Sequence, residues 1–284
     1  MAVFSNQATL NYNGASTNSN IAFGEILDVL TVTKNAVEGS YSQGETITYA
    51  VALRNTGGNA LNGLTLTDDL GGYEFNGNTV YPLIYEQGSL LYYVDGVLQP
   101  APTVAVTPPL VISGINIPAN GDAVIIYQAT VSRFANPEIG GVITNTATVT
   151  GDGLSTPITA TEAVDARTAA TLSISKSITP SQVVDNDRIT YTFIIQNTGN
   201  EEVLSTDNAT VTDTFNPTLT ALSVEFNGVT LAEGTDYTYN QTAGVFQTLP
   251  GAITVPAATY TVNETTGEYI LTPGIATLTV TGTI

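Results

Sequence analysis

Short segments in which apolar and polar residues alternate recur along the chain, and turn-forming dipeptides such as Asn-Gly and Asp-Gly lie between many of them. Alternation with a period of two is typical of β-strands with one buried face, and these dipeptides favour tight hairpins. Thr, Val, Ile, Gly and Asn are abundant, and the longer period of an amphipathic helix is absent. The pattern therefore predicts an all-β protein built from many short strands.

The strand pattern occurs twice. The segment TVTKNAV recurs as SISKSIT, and ETITYAVALRNTG recurs as DRITYTFIIQNTG at the same spacing. A chain of 284 residues is long enough to form two cores of ordinary size. We expect an N-terminal arm and connector at residues 1–29, a first β-sandwich at residues 30–166 and a second, incomplete β-sandwich at residues 167–284.

The first repeat ends with a segment that the second repeat lacks. TNTATVTGDG follows the last block that the repeats share, whereas the second repeat stops at TLTVTGTI. A similar segment, SNQATLNYNG, stands at the start of the chain, where Asn6 and Ala8 match Asn145 and Ala147. If this segment is the closing strand of a sandwich, the second repeat lacks that strand and the N-terminus carries a spare one.

A sandwich without one strand exposes apolar side chains and unpaired backbone groups, and a strand from another molecule can repair both defects. The strand period places one set of arm residues on the face that would enter the core: Phe4, Asn6, Ala8, Leu10 and Tyr12. Two alternatives remain open. The arm is a frayed tail or the remnant of an upstream domain, with TLTVTGTI as the last strand, or it folds back into its own molecule.

Three kinds of polar residue fall on the apolar faces of predicted strands. Lys34 follows Leu30 and Val32 in the alternation, and Lys176 holds the same place in the second repeat. Asp68 and its counterpart Asp213 end similar apolar alternations, and Asn145 lies within one. Buried ionisable groups are rare without a partner, so we expect Lys, Asp and Asn to meet in one core.

Such a trio can form an isopeptide bond without an external enzyme. A desolvated, neutral lysine amine attacks the asparagine amide carbon, while a buried carboxylic acid polarises the amide and transfers protons. The first repeat would join Lys34 to Asn145, with Asp68 as the acid and base. In the second repeat, Lys176 and Asp213 would react with Asn6 of another subunit.

Two simpler interpretations remain beside the covalent one. The trio is a noncovalent buried network, or the asparagine serves only a turn or a strand edge. Glu45 and Asp187 are reserve candidates for the acid, although their place at the start of a strand favours a surface position.

Composition limits the classes of function. A net charge of -19 with only six basic residues excludes nucleic acid and anionic membrane surfaces as partners. The absence of Cys and His disfavours a conventional hydrolase and thiolate metal sites, so we expect no enzyme with an external substrate and no cofactor. No apolar run is long enough to insert into a membrane, and the start of the chain lacks the features of a secretory signal. The expected partner is the protein itself.

The blocks TVTKNAV, GETITYAVALRNTGG, LTLTDDL and ITNTATVTGDG, with their counterparts in the second repeat, resemble a repeat domain of unknown function, family eleven, of bacterial surface and appendage proteins. The resemblance covers nearly the whole chain. It implies tandem immunoglobulin-like sandwiches and Lys-Asn cross-links, at Lys34, Asp68 and Asn145 and at Lys176 and Asp213. The second repeat departs from the pattern because it lacks the asparagine strand.

These observations favour a structural subunit of an extracellular bacterial fibre, a pilus or a spore appendage, that polymerises through its N-terminal strand. A chain made without a signal fits assembly on a spore slightly better, and a processed surface fibre remains open. The alternative is a two-domain adhesin or stalk fragment that binds a glycan or Ca²⁺ through acidic loops.

Overall fold

The computed structural model describes residues 2–26 and 28–284. Apart from one short 3-10 helix, η1 (Ser205–Asp207), the regular structure is entirely β. The chain divides into two compact units. The first comprises the chain up to Asn136 together with Gly141–Ala166, and the second comprises Pro137–Gly140 with Arg167–Ile284. No helix in the described part of the chain is long and apolar enough to cross a membrane.

The N-terminal arm is a β-hairpin. Its strands are β1 (Ala2–Asn6), β2 (Thr9–Tyr12), β3 (Ala15–Asn18) and β4 (Ala22–Ile26). β2 pairs with β3 and β1 pairs with β4, both antiparallel. At the tip, Asn13 and Gly14 have φ angles of 48° and 77°, as expected for the favoured Asn-Gly hairpin turn.

The sequence had predicted a single strand at the start of the arm and a connector after it. The structure corrects this, because residues 15–26 form the returning strands of the hairpin. Gly24 lies opposite Phe4, and a Cβ atom on Gly24 would come within 2.4 Å of the Phe4 ring. The glycine therefore lets the phenyl ring lie across the returning strand.

The first unit is a complete β-sandwich. Its strands are β5 (Leu30–Ala36), β6 (Ser40–Tyr41), β7 (Thr46–Asn55), β8 (Leu61–Asp68), β9 (Tyr73–Phe75), β10 (Asn78–Val80), β11 (Leu83–Tyr85), β12 (Leu91–Val94), β13 (Val97–Gln99), β14 (Thr103–Ala105), β15 (Leu110–Ile117), β16 (Asp122–Val131), β17 (Val142–Thr150) and β18 (Ile158–Ala166). One sheet has the order β13-β12-β16-β7-β5, with β11 also on β16. The other has the order β14-β15-β8-β17-β18-β6.

Alternation of side chains fills the space between these sheets. Leu53 and Ile125 come from one sheet, and Leu66, Ile112 and Val149 come from the other, all of them in one buried cluster. Full burial of such a side chain contributes about 1.5–3 kcal/mol to stability. The antiparallel strands keep one face on this core and the other toward solvent, as the sequence pattern predicted.

The second unit repeats the design with fewer strands. They are β19 (Leu172–Thr179), β20 (Arg188–Asn197), β21 (Thr212–Thr214), β22 (Thr220–Phe226), β23 (Val229–Thr230), β24 (Tyr237–Asn240), β25 (Val245–Thr248), β26 (Thr259–Val262), β27 (Tyr269–Thr272) and β28 (Gly274–Thr283). One sheet has the order β19-β20-β28-β22-β23, and β21-β25-β24 form a smaller sheet. Phe193, Phe215, Phe246 and Leu278 belong to the core between them.

Candidate cross-linking clusters and an open strand edge

A buried polar cluster lies inside the first sandwich. β5 places Lys34 on the core side, and β8 ends at Asp68 on the facing sheet. The Lys34 Nζ atom donates to the Asp68 Oδ2 atom at 2.6 Å, and both side chains are 0% exposed. Two opposite charges without solvent are tolerated only with close geometry and further hydrogen bonds, and the cluster provides both.

Two more side chains extend this ion pair. Tyr127 on β16 donates its hydroxyl to Asp68 Oδ2 at 2.5 Å, and the Asn145 Nδ2 atom on β17 donates to Tyr127 Oη at 3.3 Å. The backbone N–H of Leu70 donates to Asp68 Oδ1 at 3.1 Å. The structure thus connects Lys34, Asp68 and Asn145, as the strand phase predicted, but Asn145 reaches the acid through Tyr127.

Asn145 is incompletely satisfied. Its Oδ1 atom is buried and makes no hydrogen bond of normal geometry within the described residues, although the Tyr49 hydroxyl interacts with the Asn145 side chain. A buried acceptor without a donor costs about 1–3 kcal/mol. A buried polar atom that lacks a normal hydrogen bond in a native core often has a catalytic or reactive role. The Asn145 amide is therefore a candidate for attack by Lys34.

Burial sets the electrostatics of the cluster. Removal from solvent lowers the pKa of Lys34, and the neighbouring Asp68 carboxylate opposes this shift only in part. Burial also raises the pKa of Tyr127, and Asp68 raises it further. A lysine whose neutral form is favoured is a better nucleophile, and a tyrosine with a raised pKa keeps its proton.

Sequence reasoning missed Tyr127. The signal was present, because Ile125, Tyr127 and Ala129 share the inward face of β16, and a buried tyrosine hydroxyl needs a partner. The reserve candidates lie elsewhere, in turns. Glu45 accepts from the Ser42 N–H at 3.2 Å, and Asp187 accepts from the Val184 N–H at 3.0 Å.

The second unit contains a related but different cluster. The Lys176 ammonium donates to Asp213 Oδ2 and lies 4.4 Å from the ring centre of Tyr191 and 5.4 Å from that of Phe215. Val280 occupies the place of Tyr127, because it lies opposite Tyr191 just as Tyr127 lies opposite Tyr49. The second cluster therefore lacks the bridging hydroxyl.

The sequence also predicted a buried ammonium at Lys176, and the structure corrects this. The Lys176 side chain is 38% exposed, and every residue of β19 is exposed. Leu172 is 45% exposed, whereas its counterpart Leu30 is 3% exposed. The reason is that β18 packs against β5 in the first unit, and β19 has no such cover among the described residues.

An open strand edge accompanies this exposed face. In the first unit β8 pairs with β15 on one side and with β17 on the other. Its counterpart β21, which carries Asp213, pairs with β25 alone within the described residues. The second unit thus lacks partners at the positions that β17 and β18 fill in the first unit.

The predicted donor residues are solvent-exposed on the arm. Phe4 is 56% exposed, Leu10 is 65% exposed and Tyr12 is 73% exposed. Asn6 and Ala8 are also exposed, and Asn6 lies opposite Ala22 in the hairpin. Large exposed apolar side chains grouped on one hairpin are typical of an interaction surface.

The described residues contain no group of three or more His, Cys, Asp or Glu side chains that could hold a metal ion. The acidic loops that suggested Ca²⁺ in the sequence therefore form no such group. The oxygen-rich cluster around Asp68 contains one carboxylate and a lysine, which is a poor donor set for a cation.

Comparisons with solved structures found similarities at low sequence identity. The pilus backbone protein RrgB of Streptococcus pneumoniae is 12% identical over 86% of this chain and 56% of that chain, with a TM-score of 0.32. BcpA, the major pilin subunit of Bacillus cereus, is 12% identical over 96% of this chain and 73% of that chain, with a TM-score of 0.36. A family 123 glycoside hydrolase from Clostridium perfringens is 14% identical over 49% of this chain, with a TM-score of 0.32.

The chain spans 56% of RrgB and 27% of the glycoside hydrolase. No protein-family model matches the chain, and no curated protein matches it. The resemblance to repeat family eleven therefore stays a prediction.

Proposed function

We propose that the protein is the structural subunit of an extracellular bacterial fibre, in which the N-terminal hairpin of one copy completes the second unit of the next. The observation that carries this proposal is the edge of β21 that has no partner strand within the described residues, at the position where β17 pairs with β8 in the first unit. The chain carries a second hairpin of the same kind at its start, with Asn6 and Ala8 in the frame of Asn145 and Ala147.

The first unit supplies the register of the proposed joint. Ala147 lies opposite Asp68, and Val149 lies opposite Leu66. Transfer of this register to the joint places Ala8 opposite Asp213 and Leu10 opposite Val211. The same alternation directs Phe4, Asn6 and Tyr12 inward.

The hairpin supplies two strands, and both are needed. β1 and β2 would extend the sheet at β21, as β17 extends it at β8, while β3 and β4 would cover β19 as β18 covers β5. Leu172 and Ile174, now 45% and 56% exposed, would then be buried. Backbone pairing satisfies the open edge, and burial of a large apolar side chain contributes about 1.5–3 kcal/mol.

The low charge of the N-terminal hairpin favours it as the segment that pairs with the open edge of β21. Glu25 is the one charged side chain in residues 2–26, in a protein of net charge -19. A nearly neutral arm avoids the repulsion that an acidic segment would meet on an acidic partner.

The two Lys-Asp clusters are proposed to form covalent bonds, one within each subunit and one between neighbouring subunits. Transfer of one proton across the 2.6 Å contact between Lys34 Nζ and Asp68 Oδ2 converts the ion pair into a neutral amine and a carboxylic acid. The amine then attacks the Asn145 amide within the first unit. At the joint between subunits, Lys176 and Asp213 react in the same way with Asn6 of the incoming hairpin.

Electron microscopy of the purified protein tests the assembly. The full chain should form fibres, and a variant without residues 2–26 should remain monomeric in sedimentation. A peptide of residues 1–28 should bind that truncated variant and should not bind the full chain once it has polymerised. Fibres that form equally well without the arm would falsify the proposal.

A further inference from the structure

We propose that Tyr127 is a catalytic residue of the isopeptide reaction and carries a proton from Asp68 to the departing nitrogen of Asn145. This inference rests on the proposed cross-link between Lys34 and Asn145. Its starting point is that the Tyr127 hydroxyl contacts both the acid, at 2.5 Å, and the Nδ2 atom that must leave as ammonia, at 3.3 Å.

No hydrogen bond joins Asp68 directly to Asn145 in the described structure. Asp68 Oδ2 is shared by Lys34 and Tyr127, and Asp68 Oδ1 accepts from the Leu70 N–H. Asn145 Nδ2 bonds to Tyr127. A proton that leaves Asp68 for the amide nitrogen therefore passes through the tyrosine oxygen.

The step balances without an outside reagent. The neutral Lys34 amine attacks the Asn145 Cγ atom and forms the new C–N bond, while the π pair of the C=O bond moves to Oδ1. Cγ becomes tetrahedral, and Nδ2 regains a free electron pair because amide resonance is lost. Rotation of the Tyr127 hydroxyl about its C–O bond then allows it to accept the Asp68 proton while it gives its own proton to Nδ2.

The electron pair on Oδ1 re-forms the C=O bond, and the C–Nδ2 bond breaks as ammonia leaves with its electron pair. Asp68, now a carboxylate, removes one proton from the attacking nitrogen and is regenerated as the acid. One proton moves from Lys34 to the leaving group in total, and nothing is oxidised or reduced.

The environment of Tyr127 suits a relay that never ionises. Its hydroxyl is buried beside a carboxylate, and both features raise its pKa and disfavour the tyrosinate form. Its ring is held in place by stacking on Tyr49, with ring centres 5.6 Å apart. A hydroxyl that gives and receives protons in one step needs this fixed position.

The test compares Tyr127→Phe with Tyr49→Phe in the full chain. Tyr49 stacks on Tyr127 in the same cluster, but its hydroxyl makes no hydrogen bond to Asp68 and so cannot receive the proton of the acid. Each protein is synthesised in vitro, and intact mass is followed with time for the loss of one ammonia. Because general acid catalysis contributes roughly 100-fold or more, Tyr127→Phe should lose ammonia at least about 100-fold more slowly than the wild type. Tyr49→Phe should stay within a few-fold of it.

The outcomes separate the relay from the cross-link. Ammonia loss at equal rates in the wild type and Tyr127→Phe would overturn the relay and leave the cross-link standing. No loss in the wild type would overturn both. If Tyr127→Phe does not fold, a fluorinated tyrosine at position 127 preserves the shape and makes the hydroxyl more acidic. The rate of ammonia loss should then change with the acidity of the hydroxyl, and an unchanged rate would contradict the proposal.

Discussion

Lys34 and Lys176 each pair with an aspartate in the same frame of the repeat, but the Lys34 side chain is fully buried and the Lys176 side chain is 38% exposed. The difference in exposure arises because β17 and β18 form a hairpin in the first unit that pairs with β8 and packs against β5. The proposed docking would bury Lys176 only after a neighbour arrives. The incoming hairpin would also bring the Asn6 amide, so the second cluster would become able to react only when the joint forms.

The predicted orientation of the arm side chains can be tested by placing a carboxylate at either of two adjacent positions. Leu10→Asp should block assembly, because a carboxylate would enter the apolar interior of the second unit without a partner. A buried charge without a partner costs several kcal/mol, so the affinity of the arm should fall at least roughly 100-fold. Binding of a variant arm peptide to the protein without residues 2–26, measured by calorimetry, gives this value.

Asn11→Asp is the matched control. It places the same charge on the neighbouring residue of β2, whose side chain would face outward. Its effect on affinity should stay within a few-fold. Equal losses for the two variants would contradict the proposed strand phase.

Part of this structure was predictable from residue patterns. Strict alternation predicted that Asp68 and Asn145 would be buried together, because the side-chain period of a strand fixes its face. The absent strand of the second unit followed from comparing the ends of the two repeats. Both inferences needed only the sequence.

Other parts depend on tertiary contacts that the pattern does not encode. Residues Ala15–Asn18 are all exposed and polar or small, so no apolar alternation marks them as a strand. They form β3 because their backbone pairs with β2, and the Asn-Gly dipeptide at the tip was the available signal. Lys176 is exposed because its cover belongs to a different segment, which its own strand pattern cannot reveal.

The buried ion pair makes a prediction about stability. Lys34→Met leaves Asp68 buried without its cation, whereas Lys34→Met combined with Asp68→Leu removes both charges. Neither variant can form the cross-link, so their comparison isolates the charge. The double variant should be more stable by about 3–5 kcal/mol in chemical unfolding of the first unit. A double variant no more stable than the single one would show that Asp68 is not a buried charge in this state.

Lys34 should also give the first unit a distinctive pH dependence. Burial lowers its pKa below the ordinary value of 10.5, so the unfolded chain binds more protons than the folded one between the two pKa values. The free energy of unfolding should therefore rise with pH through that window, and Lys34 should contribute no slope below its folded pKa.

The measurement uses Asn145→Ala, in which the cross-link cannot form and the amine remains free to titrate. Its stability is compared with that of Asn145→Ala combined with Lys34→Met, because the tyrosines titrate in both variants and cancel. The free energy of unfolding of Asn145→Ala minus that of the double variant should increase as the pH rises toward 10.5. A constant difference across that range would mean that burial does not perturb Lys34.

A substitution of Asn6 distinguishes docking of the arm from formation of the covalent cross-link. Asn6→Ala should still form fibres, because Phe4, Leu10 and the backbone of the hairpin remain. Without the side-chain amide, Lys176 has no carbon to attack, so boiling in detergent should reduce these fibres to monomers, whereas wild-type fibres give a ladder of multimers. Asn11→Ala serves as the control and should keep the ladder.

Because Val280 replaces the Tyr127 hydroxyl at this joint, the ladder should also grow more slowly than the first unit loses ammonia. A ladder that persists in Asn6→Ala would exclude Asn6 as the acceptor, while loss of fibres in that variant would show that the amide is needed for docking itself.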